Sequence, residues 1–365
     1  MPPHPDPTIF WIGLSRIPGV GRATFRKLVQ HFGTPERVLS ASRHELKNVD
    51  GLSEKLISGI TTFSWKGPAE EELARARRAD VAIITADDPA YPANLKSTPD
   101  PPLYLYVRGT LPPEDNAVAM VGTRTPTHYG QRLAQKIAYE LAGAGLTVVS
   151  GMARGIDTQA HRGALEAGGR TIAVLACGID RAYPPENRGL MEGIVRSGAV
   201  VTENPFGTKP ESGYFPARNR IISGLSLGTL IIEAAHDSGS LITAEYTLEQ
   251  RRRLFAVPGN VGSPTSHGPN ALIKQGAVLV ENADDILAAL SLQKGTTTQA
   301  QSRPAPELSE EEKTVCDRIT GDPKHIDLIL ADCNYAPGRL SGILINLELK
   351  GLIRQLPGKL FIREE

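Results

Sequence analysis

The sequence predicts an α/β fold, a doubly wound parallel sheet preceded by an all-helical domain and followed by a winged helix. Three observations predict it. Between Ala117 and Leu290, short β-rich runs alternate with helical stretches, as parallel strands joined by crossover helices require. Before that region, residues 8–79 show short apolar stripes at helical spacing and glycine turns at Pro18-Gly19-Val20-Gly21 and Asp50-Gly51, with no strand-like alternation. After it, two helical patterns joined by a short turn lead to a hairpin sequence around Pro357-Gly358, the outline of a winged helix-turn-helix.

Residues 1–80 are assigned to the helical domain. There Ile17-Pro18-Gly19-Val20-Gly21-Arg22 precedes a helix expected over 23–31. In a helix-hairpin-helix, or SAM-like, arrangement such a turn aims backbone N–H groups at a DNA phosphate. The second turn, Val49-Asp50-Gly51-Leu52-Ser53, places an acidic residue where a phosphate would approach. A spacer or protein-contact role is therefore the simpler reading.

Residues 81–290 form the main domain. Its lead-in, 81–109, is punctuated by Tyr91-Pro92 and Pro101-Pro102, and proline confines such a segment to edge strands. Strands are then expected at 118–121, 147–149, 171–175, 199–202, 229–232, 254–257 and 277–280, with a helix at 129–144 after the first of them. Residues 291–306 are polar, rich in Gln, Thr and Ser, and read as a linker. Residues 307–365 complete the chain with helices expected at 326–333 and 337–350. The second of these carries few cations and many apolar residues, which favours protein contact over reading of base edges.

Ligands of such sheets lie beyond the carboxyl ends of the strands, and the informative motifs fall there. Val118-Ala-Met-Val-Gly122-Thr123-Arg124 and Val148-Val-Ser150-Gly151-Met-Ala-Arg154-Gly-Ile-Asp157 each end an apolar strand in a glycine turn bearing an arginine. Glycine lets a ligand approach the backbone, a following helix offers free N–H groups, and arginine adds a fork of donors, a combination suited to phosphate. Phe215-Pro-Ala-Arg218-Asn219-Arg220 sets an aromatic beside two more arginines, which suggests a nucleic acid with unstacked bases.

Composition limits the alternatives. The 365 residues carry 40 basic and 40 acidic side chains, so attraction to a polyanion has to come from a local patch. Cys177, Cys316 and Cys333 are widely spaced with no C-x-x-C pair, against a disulfide framework or zinc module and in favour of a reducing cytoplasm. The amino terminus lacks a basic region followed by an apolar run, and no apolar stretch reaches membrane-spanning length. A soluble, non-exported protein is expected.

Taken in order, Gly122-Thr-Arg124, Ser150 to Asp157, Phe215 to Ser223, Glu233-Ala-Ala-His-Asp-Ser-Gly239-Ser240-Leu-Ile-Thr-Ala244 and Val257-Pro-Gly-Asn260 resemble the DNA-processing protein A (DprA, or Smf) family across the whole 117–290 region. The resemblance implies a Rossmann-like domain that binds single-stranded DNA, dimerises, and loads RecA recombinase during natural transformation, without a cofactor or catalysis. The residues it implicates in DNA binding are Gly122, Thr123, Arg124, Ser150, Gly151, Arg154, Phe215, Arg218, Asn219, Arg220, Gly239 and Ser240. Arg124 and the Ser150-Gly151 turn would hold phosphates, Arg218 and Arg220 would extend the basic path, and Phe215 would stack a base.

Simpler roles stand beside these. Gly122 and Gly151 serve turn geometry wherever strands end, Arg154 could brace Asp157 or Glu233, and Phe215 could belong to the core. Arg251-Arg252-Arg253 reads as a charge cluster favourable at a helix carboxyl end. Asp157 and His161 share a helical face at a spacing compatible with acid-base chemistry, but Asp157 can cap its helix and His161 has no third ligand candidate for a metal. Among enzymes, a Lonely Guy-like phosphoribohydrolase would need a Pro-Gly-Gly-x-Gly-Thr turn where this chain has Leu225-Ser-Leu-Gly-Thr. A dinucleotide oxidoreductase would need G-x-G-x-x-G after the first strand and an acidic residue ending the second, where Ser150 stands.

Overall fold

The computed structural model describes residues 6–292, 308–321, 323–333 and 335–363. Residues 293–306 of the expected linker lie outside them. The chain divides near residue 297 into two compact units.

The first unit is built on nine strands: β1 (Ala82–Thr85), β2 (Tyr104–Gly109), β3 (Ala117–Val121), β4 (Thr147–Ser150), β5 (Thr171–Val174), β6 (Ala199–Thr202), β7 (Gly228–Ile231), β8 (Arg253–Ala256) and β9 (Val278–Leu279). Their order is β1-β2-β6-β5-β4-β3-β7-β8-β9. All pairs from β6 to β9 are parallel, whereas β1 and β2 are antiparallel additions at one edge. Of the two strands from the proline-rich lead-in, β1 is the edge strand as expected, whereas β2 lies inside the sheet, paired to β1 on one side and β6 on the other.

Every residue of β3, β4, β5, β6 and β7 is buried, because both faces of the sheet are covered and neither side of the pleat can be polar. Alternate side chains divide between two cores. Val118 and Met120 pack with Ile137, Leu141 and Ile156, while Ala117, Ala119 and Val121 pack with Ile221, Ile222 and Ala244. The first group comes from helices His128–Gly143 and Ile156–Glu166, the second from Tyr214–Gly224 and Gly239–Glu249. After β6 the chain returns to the other side of β3 to begin β7. The reversal leaves a crevice between the carboxyl ends of β3 and β7, where loops diverge to opposite faces.

Among the described residues six helices precede the sheet: Thr8–Ser15, Arg22–Phe32, Pro35–Ser40, Arg43–Lys47, Glu54–Thr62 and Lys66–Arg78. Their apolar core is continuous with Tyr104, Tyr106, Leu175 and Val200 of the sheet region. Polar contacts reinforce that seam. Glu72, 3% exposed, pairs with Arg16 at 2.8 Å and accepts from Tyr106 Oη at 2.7 Å and Phe206 N at 2.9 Å.

Helix Gly239–Glu249 ends before the arginine triplet and Arg253 opens β8, so the triplet spans a turn with Arg251 at φ +57°. Arg252 donates to Asn94 O at 2.7 Å and Ser97 Oγ at 2.9 Å.

In the second unit, helix Glu310–Arg318 is capped reciprocally by Ser309 and Glu312. Helices Ile326–Cys333 and Pro337–Leu349 follow, then the hairpin Ile353–Leu356 and Leu360–Arg363, with Lys324–His325 pairing on its far strand. Val315, Ile329, Leu340, Leu347 and Phe361 form its core. Among the described residues of the chain, no helix is long and apolar enough to cross a membrane.

Candidate nucleic-acid interface

The rim of the sheet forms a groove divided by Phe215. On one side it is lined by Gly122, Arg124, Asn219, Ser238, Gly239 and Ser240, and on the other by Arg124, Arg154, Cys177, Tyr183 and Pro210, with Arg218 at the floor of both.

Gly122 follows β3 with no room for a side chain, since a Cβ there would lie 2.6 Å from Ile156 and 2.8 Å from Glu233 O. The turn it permits is fixed by Thr123 N donating to Glu233 O at 2.7 Å and Ile156 N donating to Thr123 O at 3.2 Å. Arg124 is left exposed, makes no ion pair among the described residues, and places its guanidinium carbon 4.9 Å from the centroid of the Phe215 ring. That cation-π contact holds the arginine and the aromatic as one platform. Tyr183 adds a second ring 5.8 Å from Phe215, tilted by 56°.

Opposite Arg124, helix Gly239–Glu249 begins with Ser238 as its cap, whose hydroxyl lies 2.8 Å from that of Ser240. Asn219 Nδ2 ties the two helices of this wall together by donating to Gly239 O at 3.2 Å. The two sides of the groove thus bring together a glycine turn, an exposed arginine, two aromatic rings and a helix N-terminus, all features that favour an anion with a planar substituent.

The second glycine turn is organised differently from the sequence expectation. Ser150 is buried and donates its hydroxyl to Met120 O at 2.6 Å. The N–H groups of Gly151 and Ala153 donate to Asp157 Oδ2 at 3.1 and 3.3 Å. The Ser150 hydroxyl and the Gly151 N–H therefore do not face a phosphate, because Met120 O takes the first and the carboxylate of the helix following β4 takes the second. Burial raises the pKa of Asp157 despite the opposing pull of Arg218 and these N–H donors.

Arg218 and Arg220 also depart from the expected path. Arg218 is 5% exposed and donates to Gly151 O at 2.7 Å and to Val174 O. Burial lowers its pKa to about 10, so it remains cationic at neutral pH beneath the groove. Arg220, two residues further, points to a different side of its helix and is 4% exposed. It pairs with Glu203 and Asp100 and donates to Asp100 O at 2.8 Å. It does not extend the groove, since a buried guanidinium needs internal acceptors and finds them there. Arg154 is exposed and bound to Glu186 at 2.5 Å, a partner different from the two foreseen.

Glu233 is buried, accepting from Thr127 N at 2.8 Å and Thr127 Oγ1 at 2.5 Å, so it braces the loop after Arg124. His161 is buried with Nδ1 2.7 Å from Thr171 Oγ1, and burial, aided by Arg218, lowers its pKa to about 3. Among the described residues, no cluster of His, Cys, Asp and Glu is arranged to hold a metal. Tyr183 was missed in the sequence, where its signal was only an aromatic before Pro184 in a long loop.

Fold and groove define a Rossmann-like α/β protein with an arginine-aromatic cleft at its switch point, preceded along the chain by a helical hairpin domain and followed by a winged helix. Residues 82–291 match the family model described as DNA recombination-mediator protein A, 299–359 that of the DprA winged helix domain, and 12–61 that of the SAM-like helix-hairpin-helix tandem. The chain is 36% identical over 390 residues to protein Smf of Synechocystis, covering 97% of this chain and 98% of that one. To protein Smf of Escherichia coli it is 38% identical, covering 84% of each. The X-ray structure of DNA processing protein A from Streptococcus pneumoniae superposes with a TM-score of 0.55 at 34% identity, covering 74% of this chain and 98% of that one. A structure of DNA processing protein A from Helicobacter pylori, whose subject is its single-stranded DNA binding mode, gives 0.50 at 31% identity, covering 55% and 93%. This chain belongs to the DprA/Smf family.

Proposed function

We propose that the rim groove holds single-stranded DNA and that the protein, working as a cytoplasmic homodimer without catalysis, protects incoming strands and passes them to RecA during transformation and recombination. The observation that carries the DNA reading is Arg124 stacked on Phe215 beside the N-terminus of helix Gly239–Glu249. In this reading a phosphate sits between the arginine and the helix and a base against the ring, neither contact requiring a particular sequence. The Helicobacter pylori relative's single-strand binding supports this reading. Dimerisation and RecA loading rest on the family resemblance. The non-enzymatic reading is supported by the structural engagement of Asp157, His161 and Glu233.

Fluorescence anisotropy of a labelled oligothymidylate over a salt series tests the site. Binding should weaken with a log-log slope of about −0.7 per neutralised phosphate, and Arg124→Ala should both lower affinity and flatten that slope. An unchanged slope in Arg124→Ala would reject the assignment. Incubation with nucleoside monophosphates decides the hydrolase alternative, where free base released above the blank would favour an enzyme.

A further inference from the structure

The helix Arg22–Phe32, which begins at the first hairpin turn, directs two arginines at the sheet unit. Arg22 meets Asp100 at 2.8 Å and Glu203 at 3.4 Å, and Arg26 meets Asp100 at 2.7 Å and donates to Pro101 O. The same two carboxylates hold the buried Arg220. Three arginines from two parts of the chain thus close around Asp100 and Glu203. Burial pushes the Asp100 carboxyl up, but Arg26, Arg220 and Arg22 outweigh it and hold the group below its ordinary range.

We infer that Arg22 and Arg26 are positioning residues for the rim groove, acting through Asp100, Glu203 and Arg220. The inference rests on the groove being the single-strand site. Arg220 lies on helix Tyr214–Gly224, which also carries Phe215, Arg218 and Asn219. That helix is clamped at two points, by Arg218 to the carbonyls of Gly151 and Val174 and by Arg220 to the ion cluster. Removing the outer arginines takes away the contacts that fix where Asp100 and Glu203 sit and lets water reach them, so Arg220 and its helix are held in a less defined position. The two arginines that follow the hairpin turn are thus committed to the protein itself, while Pro18, Gly19 and Gly21 of the turn stay exposed. The shared apolar core and Glu72 keep the helical domain docked when the two arginines are removed.

The test compares full-length wild type, Arg22→Ala/Arg26→Ala and Arg22→Lys/Arg26→Lys, with tryptophan fluorescence as the check of folding. The alanine pair should bind oligothymidylate about three- to tenfold more weakly with the salt slope unchanged, since no phosphate contact is lost. The lysine pair should recover most of the affinity. Hydrogen exchange should quicken in residues 214–224 of the alanine pair and stay constant in 239–249. Unchanged affinity, unchanged exchange in 214–224, or a slope flattened by about 0.7 per arginine would each overturn the inference, the last by showing direct phosphate contact. Failure of the underlying site reading shows separately, as Arg124→Ala binding like wild type.

Discussion

Phe215→Ala separates stacking from charge in the groove. The ring is half-buried, 4.9 Å below the Arg124 guanidinium and 5.8 Å from Tyr183, so its truncation removes one face on which a base can stack and releases the arginine from its platform. Stacking of a base on an aromatic contributes about 1–3 kcal/mol. That corresponds to a dissociation constant raised by roughly 5- to 150-fold. The exposed cation-π contact contributes about 0.5–1 kcal/mol, which belongs to the free protein as well and adds to binding only through the placement of Arg124. No charge is removed, so the dependence of log K on log salt should keep the wild-type slope while the whole line moves down. Anisotropy with oligothymidylate at several salt concentrations measures both quantities, and Phe215→Trp should restore or strengthen binding. A flattened slope, or affinity equal to wild type, would show that bases do not rest on this ring.

Two further predictions concern the scaffold. Gly151→Ala places a methyl group against the buried Arg218 guanidinium, and should destabilise the first unit by about 1–3 kcal/mol, as overpacking does. Denaturant unfolding followed by Trp11 and Trp65, both in that unit, measures the loss. His161 has a folded pKa lowered to about 3 by burial and by Arg218. Its unfolded form therefore binds a proton that the folded form refuses, and its stabilising contribution is complete above about pH 6.5 and declines as pH falls toward 3, by at most about 1.4 kcal/mol per pH unit. Asp157, with its raised pKa, acts in the opposite sense over part of that range. Replacing His161 with Phe should flatten the acid limb of stability against pH, and an identical limb in the variant would refute the assignment.

The sequence by itself determined the layering of this protein. Alternating β-rich and helical runs and two glycine-terminated strands were sufficient for a parallel sheet, because periodicity and backbone restriction are local properties, whereas the antiparallel pairing of β1 and β2 was not legible there. It also determined that Arg124 lies at the carboxyl rim, since it follows directly from the end of β3, whereas Phe215, for which the sequence left a core role open, is set beside it by the fold. The tertiary structure decided which arginines are available. Arg218 and Arg220 look alike in sequence, yet one lies beneath the groove and the other in an ion cluster with Asp100, whose distance along the chain hides the pairing. The donors of Ser150 and Gly151 are likewise consumed by Met120 and Asp157. Whether a charge faces solvent depends on its partners in space, and that information appears only when distant segments are brought together.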